Sequence, residues 1–141
     1  MNTEIEKLKA DWENLLNKLN DQFDTDLDLQ GVIFLVGVQE WGKGWQNFSR
    51  DQKQDVMHVG TCKLLSQFGH YEFDHTDEDG WPHYKLTNPI PPLSLREQDL
   101  LLRKAVIEYF DKMNWNLKQQ YWIYFLIVTS LVTDSDCLRI I

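Results

Sequence analysis

Three residues within 55–62 have side chains that take part in catalysis in many enzymes. Asp55, His58 and Cys62 are three and four residues apart, which places them on one face of a helix. Glu40 precedes them in the chain and could approach them from an earlier helix. A carboxylate and a histidine at this spacing occur in di-iron sites, and a cysteine beside a histidine can act as a thiolate nucleophile. These four residues are the candidate catalytic residues; the alternative is a solvated Asp55, a hydrogen-bonded His58 and a core Cys62.

The segment 70–86 carries candidate metal ligands. If it begins as an extended strand, His70, Glu72 and Asp74 share one face. His83 lies on the returning arm and could meet them. Imidazole and carboxylate ligands suit zinc, iron or manganese. The predicted metal ligands are therefore His70, Glu72 and His83, and a solvated polar face is the alternative.

The same segment does not fit a calcium-binding loop. With Gly80 at the sixth position of an EF-hand, His75 is first and Leu86 is twelfth, whereas both positions need an acid. Asp79 and Gly80 predict a tight turn instead.

The stretch "GVQEWGKG" at 37–44 has the spacing of a phosphate-binding loop up to its last position. That position needs Ser or Thr to hold magnesium, and Gly44 follows the lysine here. We therefore predict a helix that ends at Gly42, and no cofactor.

Aromatic side chains are frequent around both candidate sites. Trp and Tyr dominate binding hot spots, so that the candidate interface residues are Trp41, Trp45, Trp81 and Tyr84. This interpretation requires the segment 70–86 to fold over the end of the helix that is predicted to end at Gly42. Packing of a loop on the core is one alternative, and an apolar ligand pocket is another.

Five helix starts are predicted from a Ser, Thr or Asn followed three residues later by an acid or an amide, the pattern of a capping box. The pairs are Thr3–Glu6, Thr25–Asp28, Ser49–Gln52, Ser94–Glu97 and Asn116–Gln119. The predicted helices span about 4–22, 26–41, 50–67, 95–113 and 117–133. The second and the fifth are apolar on most faces and are expected at the centre, although 32–36 also fits a buried strand. Gly31 and Gly37 allow a neighbouring element to approach the second helix closely.

The length and composition suit a single helical domain over residues 1–141. The chain has 141 residues, of which 43% are apolar, enough for one core. The predicted fold is mainly α, a bundle of about five helices with a short β-hairpin or ordered loop at 70–86.

The charge and the apolar runs exclude some classes of protein. The formal net charge is −8, and the chain lacks the clustered Lys and Arg that nucleic-acid binding needs. The longest apolar run, 121–132, is shorter than the roughly 20 residues of a membrane span. Two distant cysteines and a charged N-terminal segment predict a cytoplasmic protein. The oligomeric state is left open.

A set of short motifs lies within residues 38–84. They are Gln39-Glu40, Gly42-Lys43-Gly44, Asp55, Met57-His58, Cys62, Leu64-Leu65 and Asp79-Gly80-Trp81-Pro82-His83. In these motifs the chain resembles an uncharacterised family of small bacterial helical proteins. The resemblance covers about a third of the chain and implies a self-contained domain. No activity is known for that family, so the resemblance assigns no catalytic residue.

These observations favour a small acidic protein that acts by binding another protein, as an accessory subunit or as an inhibitor of a basic partner, like an immunity protein. The acid excess supports this hypothesis. The alternative is a metal-dependent enzyme or metal-binding protein that uses Glu40, Asp55 and His58 with ligands from the 70–83 loop. No complete catalytic motif decides whether the chain is an enzyme.

Overall fold

The computed structural model describes residues 2–43 and 46–113. The helices are α1 (Asn2–Phe23), α2 (Leu29–Trp41), α3 (Arg50–Ser66) and α4 (Leu95–Lys112), and strands β1 (Tyr71–Thr76) and β2 (Pro82–Leu86) form an antiparallel hairpin between α3 and α4. The prediction of a mainly helical fold with a short hairpin is confirmed. The predicted fifth helix at 117–133, with its cap at Asn116, lies outside the described residues. Within the described ranges, no helix combines the length and hydropathy needed to cross a membrane.

Side-chain caps define the starts of three helices. Ser49 and Ser94 each form the predicted capping box with the residue three positions later. The prediction that Thr25 caps α2 is wrong, because Asp28 lies directly before the apolar run and its carboxylate accepts the free amide of the first turn at 2.8 Å. Thr3 is not a cap either, because α1 already includes the residue before it.

Helix α2 is the central element of the described fold. Residues 31–38 are all buried, and 32–36 are helical, so the alternative of a buried strand is wrong. One part of the core joins α2 to the other helices through Trp12, Leu19, Val32, Val36, Leu64 and Val106. The second part surrounds the end of α2 and contains Phe34, Val38, Trp41, Phe48 and Val56. A helix that is apolar on all faces has to be covered on all faces, which explains its position.

Helices α2 and α3 touch through their backbones. A side chain at Gly37 would collide with the carbonyl of Val56, and one at Gly60 would collide with the carbonyl of Ile33. The predicted close approach at Gly37 is therefore confirmed. A side chain at Gly31 would meet side chains of the turn just before it, so this glycine does not mediate a helix contact.

The hairpin has an irregular register. The pairs are Tyr71–Leu86, Glu72–Lys85, Phe73–Tyr84, His75–His83 and Thr76–Pro82. Asp74 is the extra residue of a β-bulge, since it lies between two paired residues whose partners are adjacent. After the bulge, His75 has moved to the face that carries Glu72 and Lys85.

The hairpin turn is held by one carboxylate. Oδ1 of Asp77 accepts the amides of Asp79 and Trp81, both at 2.9 Å. Gly80 has a φ of 88°, a conformation that glycine adopts without strain. The predicted turn at Asp79–Gly80 is confirmed, although the acid that bonds the backbone is Asp77.

Candidate functional site

A cavity of about 340 Å³ lies between the end of α2, the end of α3 and the hairpin. Its lining includes Glu40, Lys63, Trp41, Phe73, Thr76 and Tyr84. Two larger grooves, of about 660 Å³ each, run along α1 and α4. None of the candidate catalytic, metal-binding or interface residues lines those grooves, whereas the cavity combines charged, hydroxyl and aromatic groups from three elements. The cavity is therefore the candidate functional site.

Glu40 is fixed in this region by a long-range hydrogen bond. The Tyr109 hydroxyl on α4 donates to Oε1 of Glu40 at 2.8 Å. Tyr109 is 4% exposed, and this burial raises the pKa of its phenol well above the usual range, with a further rise from the Glu40 charge. A neutral phenol that donates to a carboxylate stabilises its position. Glu40 thus has one oxygen bound, and among the described residues no donor binds its second oxygen.

A second phenol, that of Tyr84, lines the same cavity as Glu40. Burial raises the pKa of Tyr84 to about 12, and the negative charges of Glu40 and Cys62 contribute less to this rise. Tyr84 therefore stays protonated at neutral pH, so that its hydroxyl can donate a hydrogen bond in the cavity.

Lys63 brings the opposite charge to the cavity. It lies on α3, whereas Glu40 lies on α2, and both line the same space. The four ion pairs formed within the described part of the chain include neither residue. The cavity therefore contains one acidic and one basic group that are not paired with each other.

The aromatic candidates mainly pack against one another. Trp41 stacks on Trp81 with ring centroids 5.0 Å apart and meets Phe48 edge-on at 5.4 Å. Trp41 is 9% exposed, so it belongs to the core more than to an open interface. Tyr84 is half-buried over the cavity, and Trp45 lies outside the described residues.

The catalytic candidates on α3 do not form an activated pair. Burial raises the pKa of the Cys62 thiol to about 11, whereas nucleophilic cysteines have a lowered pKa. The Cys62 sulfur lies 3.4 Å from Nε2 and 3.9 Å from Nδ1 of His58. Because the two distances are similar, the sulfur lies on the lone-pair axis of neither nitrogen. Asp55 and His58 are exposed and Cys62 is buried, which fits the alternative of a solvated Asp55 and a core Cys62.

The hairpin does not bring the predicted metal ligands together. His70 has its Nδ1 at 2.8 Å from the carbonyl of Asn88. Glu72 lies opposite Lys85, with 3.9 Å between the carboxylate and the ammonium. His83 lies opposite His75, because the bulge displaces the register that a regular hairpin would have.

His75 and His83 form a stacked pair at the end of the hairpin. Their ring centroids are 4.7 Å apart and their planes differ by 4°. Each ring contacts a carboxylate, His75 that of Asp74 at 2.8 Å and His83 that of Asp77 at 2.7 Å. Lone pairs in two parallel planes do not converge on one ion, so this arrangement does not chelate a metal. Across the described ranges, no group of three or more His, Cys, Asp or Glu side chains is arranged to hold a metal ion.

Several residues of the cavity region, among them Phe73, Lys63 and Tyr109, were not among the sequence-predicted site residues. Phe73 shares a face of β1 with Tyr71, two positions before it, so the strand pattern indicates its face but not its exposure. Lys63 follows Cys62 directly in the chain but belongs to none of the sequence motifs. Tyr109 reaches Glu40 across 69 positions of the chain, a contact that no local pattern predicts.

Comparisons of the chain with family models, curated proteins and solved structures found no match. The cavity and the surface around it are therefore interpreted from their geometry.

Proposed function

We propose that the protein acts by binding a basic protein partner through its hairpin. The hairpin surface consists of the apolar residues Phe73 and Leu86 and the exposed acids Asp74, Glu78 and Asp79. The observation that carries the proposal is the exposure of Phe73 and Leu86, at 53% and 54%. Large apolar side chains that remain exposed side by side are typical of protein interfaces.

The two apolar residues belong to one face of the hairpin. Phe73 pairs with Tyr84, and Leu86 pairs with Tyr71 two positions away. Consecutive pairs of this kind place their side chains next to one another. Leu95 is even more exposed, at 84%, but it stands at the start of α4 and single exposed apolar residues are normal. It therefore serves as a matched control.

The acids at the end of the hairpin indicate the charge of the partner. Asp74 directly follows Phe73 in the chain, Glu78 and Asp79 lie in the hairpin turn, and all three are exposed; the chain has a net charge of −8. A negative rim around an apolar centre favours a partner with a positive surface and speeds its encounter. An inhibitor of a basic enzyme and an accessory subunit of a basic protein both fit this description. We place this binding in the cytoplasm, where Cys62, a free thiol, remains reduced.

The proposal is tested by affinity capture with matched variants. Wild type, Phe73→Ser/Leu86→Ser and Leu95→Ser are immobilised and exposed to an extract of the native source at low and high salt. We expect a basic protein that wild type and Leu95→Ser retain, that the double variant loses and that salt releases. The purified candidate must then bind purified wild type in solution, measured by isothermal titration calorimetry.

Two outcomes would contradict the proposal. Equal capture by the double variant and by wild type would show that the hairpin surface is not the interface. Light scattering provides the second test: a dimer in wild type that becomes a monomer only in the double variant would identify the occupant as a second copy of the chain.

A further inference from the structure

We propose that the cavity between α2, α3 and the hairpin binds a free α-amino acid with an apolar side chain. This inference goes beyond the protein-binding proposal, because it requires no macromolecular partner. The volume of about 340 Å³ is at the lower end of the range of small-molecule sites, about 300–1,000 Å³. It suits a ligand of the size of one amino acid.

The charges of the cavity determine the class of ligand. Glu40 on α2 and Lys63 on α3 share the cavity without an ion pair to any group in the described ranges. Tyr109 donates to one oxygen of Glu40 from the side of α4, which leaves the second oxygen as an acceptor. The backbone contact of Gly37 and Gly60 fixes the two helices relative to each other. The two charges therefore lie on different helices whose relative position is fixed.

A zwitterion satisfies both charges at once. The ammonium of an amino acid can donate to Glu40, and its carboxylate can accept from Lys63, both as charge-assisted hydrogen bonds. A simple cation would enter beside the like charge of Lys63, and a simple anion beside that of Glu40, and each like-charge contact disfavours binding. The hydroxyls of Thr76 and Tyr84 supply further donors in the same lining.

The walls of the cavity favour an apolar side chain on the ligand. Trp41, Phe73 and Pro82 contribute rings to the lining. The ring of Phe73 meets Tyr84 edge-on at 5.9 Å and still leaves half of the residue exposed. An apolar side chain that packs on this ring removes apolar surface from water.

The experiment compares three probes with the purified full chain by isothermal titration calorimetry. The probes are L-phenylalanine, phenethylamine, which lacks the carboxylate, and 3-phenylpropionate, which lacks the ammonium. We expect L-phenylalanine to bind and each of the other two to bind at least about tenfold more weakly, because each loses one charge-assisted hydrogen bond.

Variants with equal charge changes inside and outside the cavity complete the test. We expect Glu40→Gln and Lys63→Met to weaken L-phenylalanine binding about tenfold. Glu72→Gln and Lys85→Met make the same charge changes on the other face of the hairpin and should leave binding unchanged. If Glu40→Gln impairs folding because Tyr109 loses its acceptor, Lys63→Met and the three probes decide the question without it.

Each contrary result overturns the proposal in a recognisable way. Equal binding of phenethylamine identifies a site for organic cations, and equal binding of 3-phenylpropionate identifies a site for anions. If none of the three probes binds at a concentration of about 10 mM, the dissociation constant is above the millimolar range. This result rejects the site altogether. Because the hairpin surface is tested separately with a protein partner, failure here leaves that test intact.

Discussion

Gly37 and Gly60 meet where α2 crosses α3: a β-carbon on Gly60 would lie 3.1 Å from the amide nitrogen of Gly37 and would collide with the carbonyl of Ile33. The contact is made by backbone atoms, which cannot rotate away as side chains do. It therefore determines the distance between the helices that carry Glu40 and Lys63.

We expect Gly60→Ala and Gly37→Ala to lower the free energy of unfolding by at least about 2 kcal/mol each, because overpacking forces the helices apart. The gain in helix propensity, at most about 1 kcal/mol, does not offset this loss. Urea denaturation of each variant measures the difference.

Gly31→Ala is the matched control, since it makes the same change in the same helix. Its β-carbon would meet Leu27 and Asp28 side-chain atoms at 3.1 and 3.3 Å, and side chains can adjust. We expect a change within about 1 kcal/mol of wild type. Equal losses in all three variants would show that the helix crossing is not the cause.

Tyr109 predicts how stability depends on alkaline pH. Its ordinary pKa is 10.0 and burial raises it in the folded protein. A raised pKa contributes stability that is complete below the unfolded value and is lost as the pH rises towards the folded value. Wild type should therefore lose stability above about pH 10, and Tyr109→Phe should lose less.

The comparison with Tyr109→Phe isolates this contribution. At neutral pH the variant should be less stable by about 1 kcal/mol, because Glu40 loses a donor that water partly replaces. The two stability curves, measured by urea denaturation from about pH 7 to about pH 11, should converge at the alkaline end. Parallel curves would contradict the role of Tyr109, since Tyr84 and Cys62 titrate in both proteins.

The local features of the fold could be predicted from the sequence. Ser49 and Ser94 begin helices because their partners lie within one turn. Gly80 suits the hairpin turn because its position there has a positive φ. At the start of α2, Thr25 and Asp28 both fit a cap, and only the buried run that follows shows that Asp28 is the cap. The choice between helix and strand at 32–36 depends on packing against distant parts of the chain, above all against α3.

The geometry of the cavity could not be predicted in the same way. Glu40 meets Tyr109 only because α2 and α4 both pack in the core. The bulge at Asp74 shifts the register by one residue, so that His75 pairs with His83. A regular alternation along the strand does not reveal such an insertion. Contacts between residues far apart in the sequence, and shifts of the strand register by one position, therefore cannot be predicted from local sequence patterns.

The carboxylate of Asp77 has two roles, since it accepts the turn amides and carries a charge beside His83. We expect the protein to lose stability in acid when this carboxylate is protonated. Its hydrogen bond to His83, followed by that from the Trp81 amide, lowers its pKa below the ordinary 3.8. A lowered pKa contributes stability that is present above the unfolded value and is lost as the pH falls through the folded value. Asp77→Asn keeps an oxygen for the turn amides but does not titrate, so it should lack this acid dependence.

Asp77→Ala removes the turn acceptor as well. We expect its melting temperature at neutral pH to be lower than that of Asp77→Asn, because the amides of Asp79 and Trp81 lose their partner. The near-ultraviolet circular dichroism signal of the Trp41–Trp81 stack should also be weaker in Asp77→Ala than in Asp77→Asn. If the two variants behave alike, the charge and not the turn is the stabilising feature.

Cys62 should be a slow thiol in the folded protein. Burial raises its pKa from 9.0 to about 11, which lowers the thiolate fraction about 100-fold at neutral pH. We measure iodoacetamide alkylation in a Cys137→Ser background, so that Cys62 is the single thiol, and expect a rate at least about 100-fold below that of the same chain in urea. His58→Gln should leave this rate unchanged, because the sulfur lies on no lone-pair axis of that ring. A rapid native reaction that His58→Gln abolishes would restore the thiolate–imidazole hypothesis.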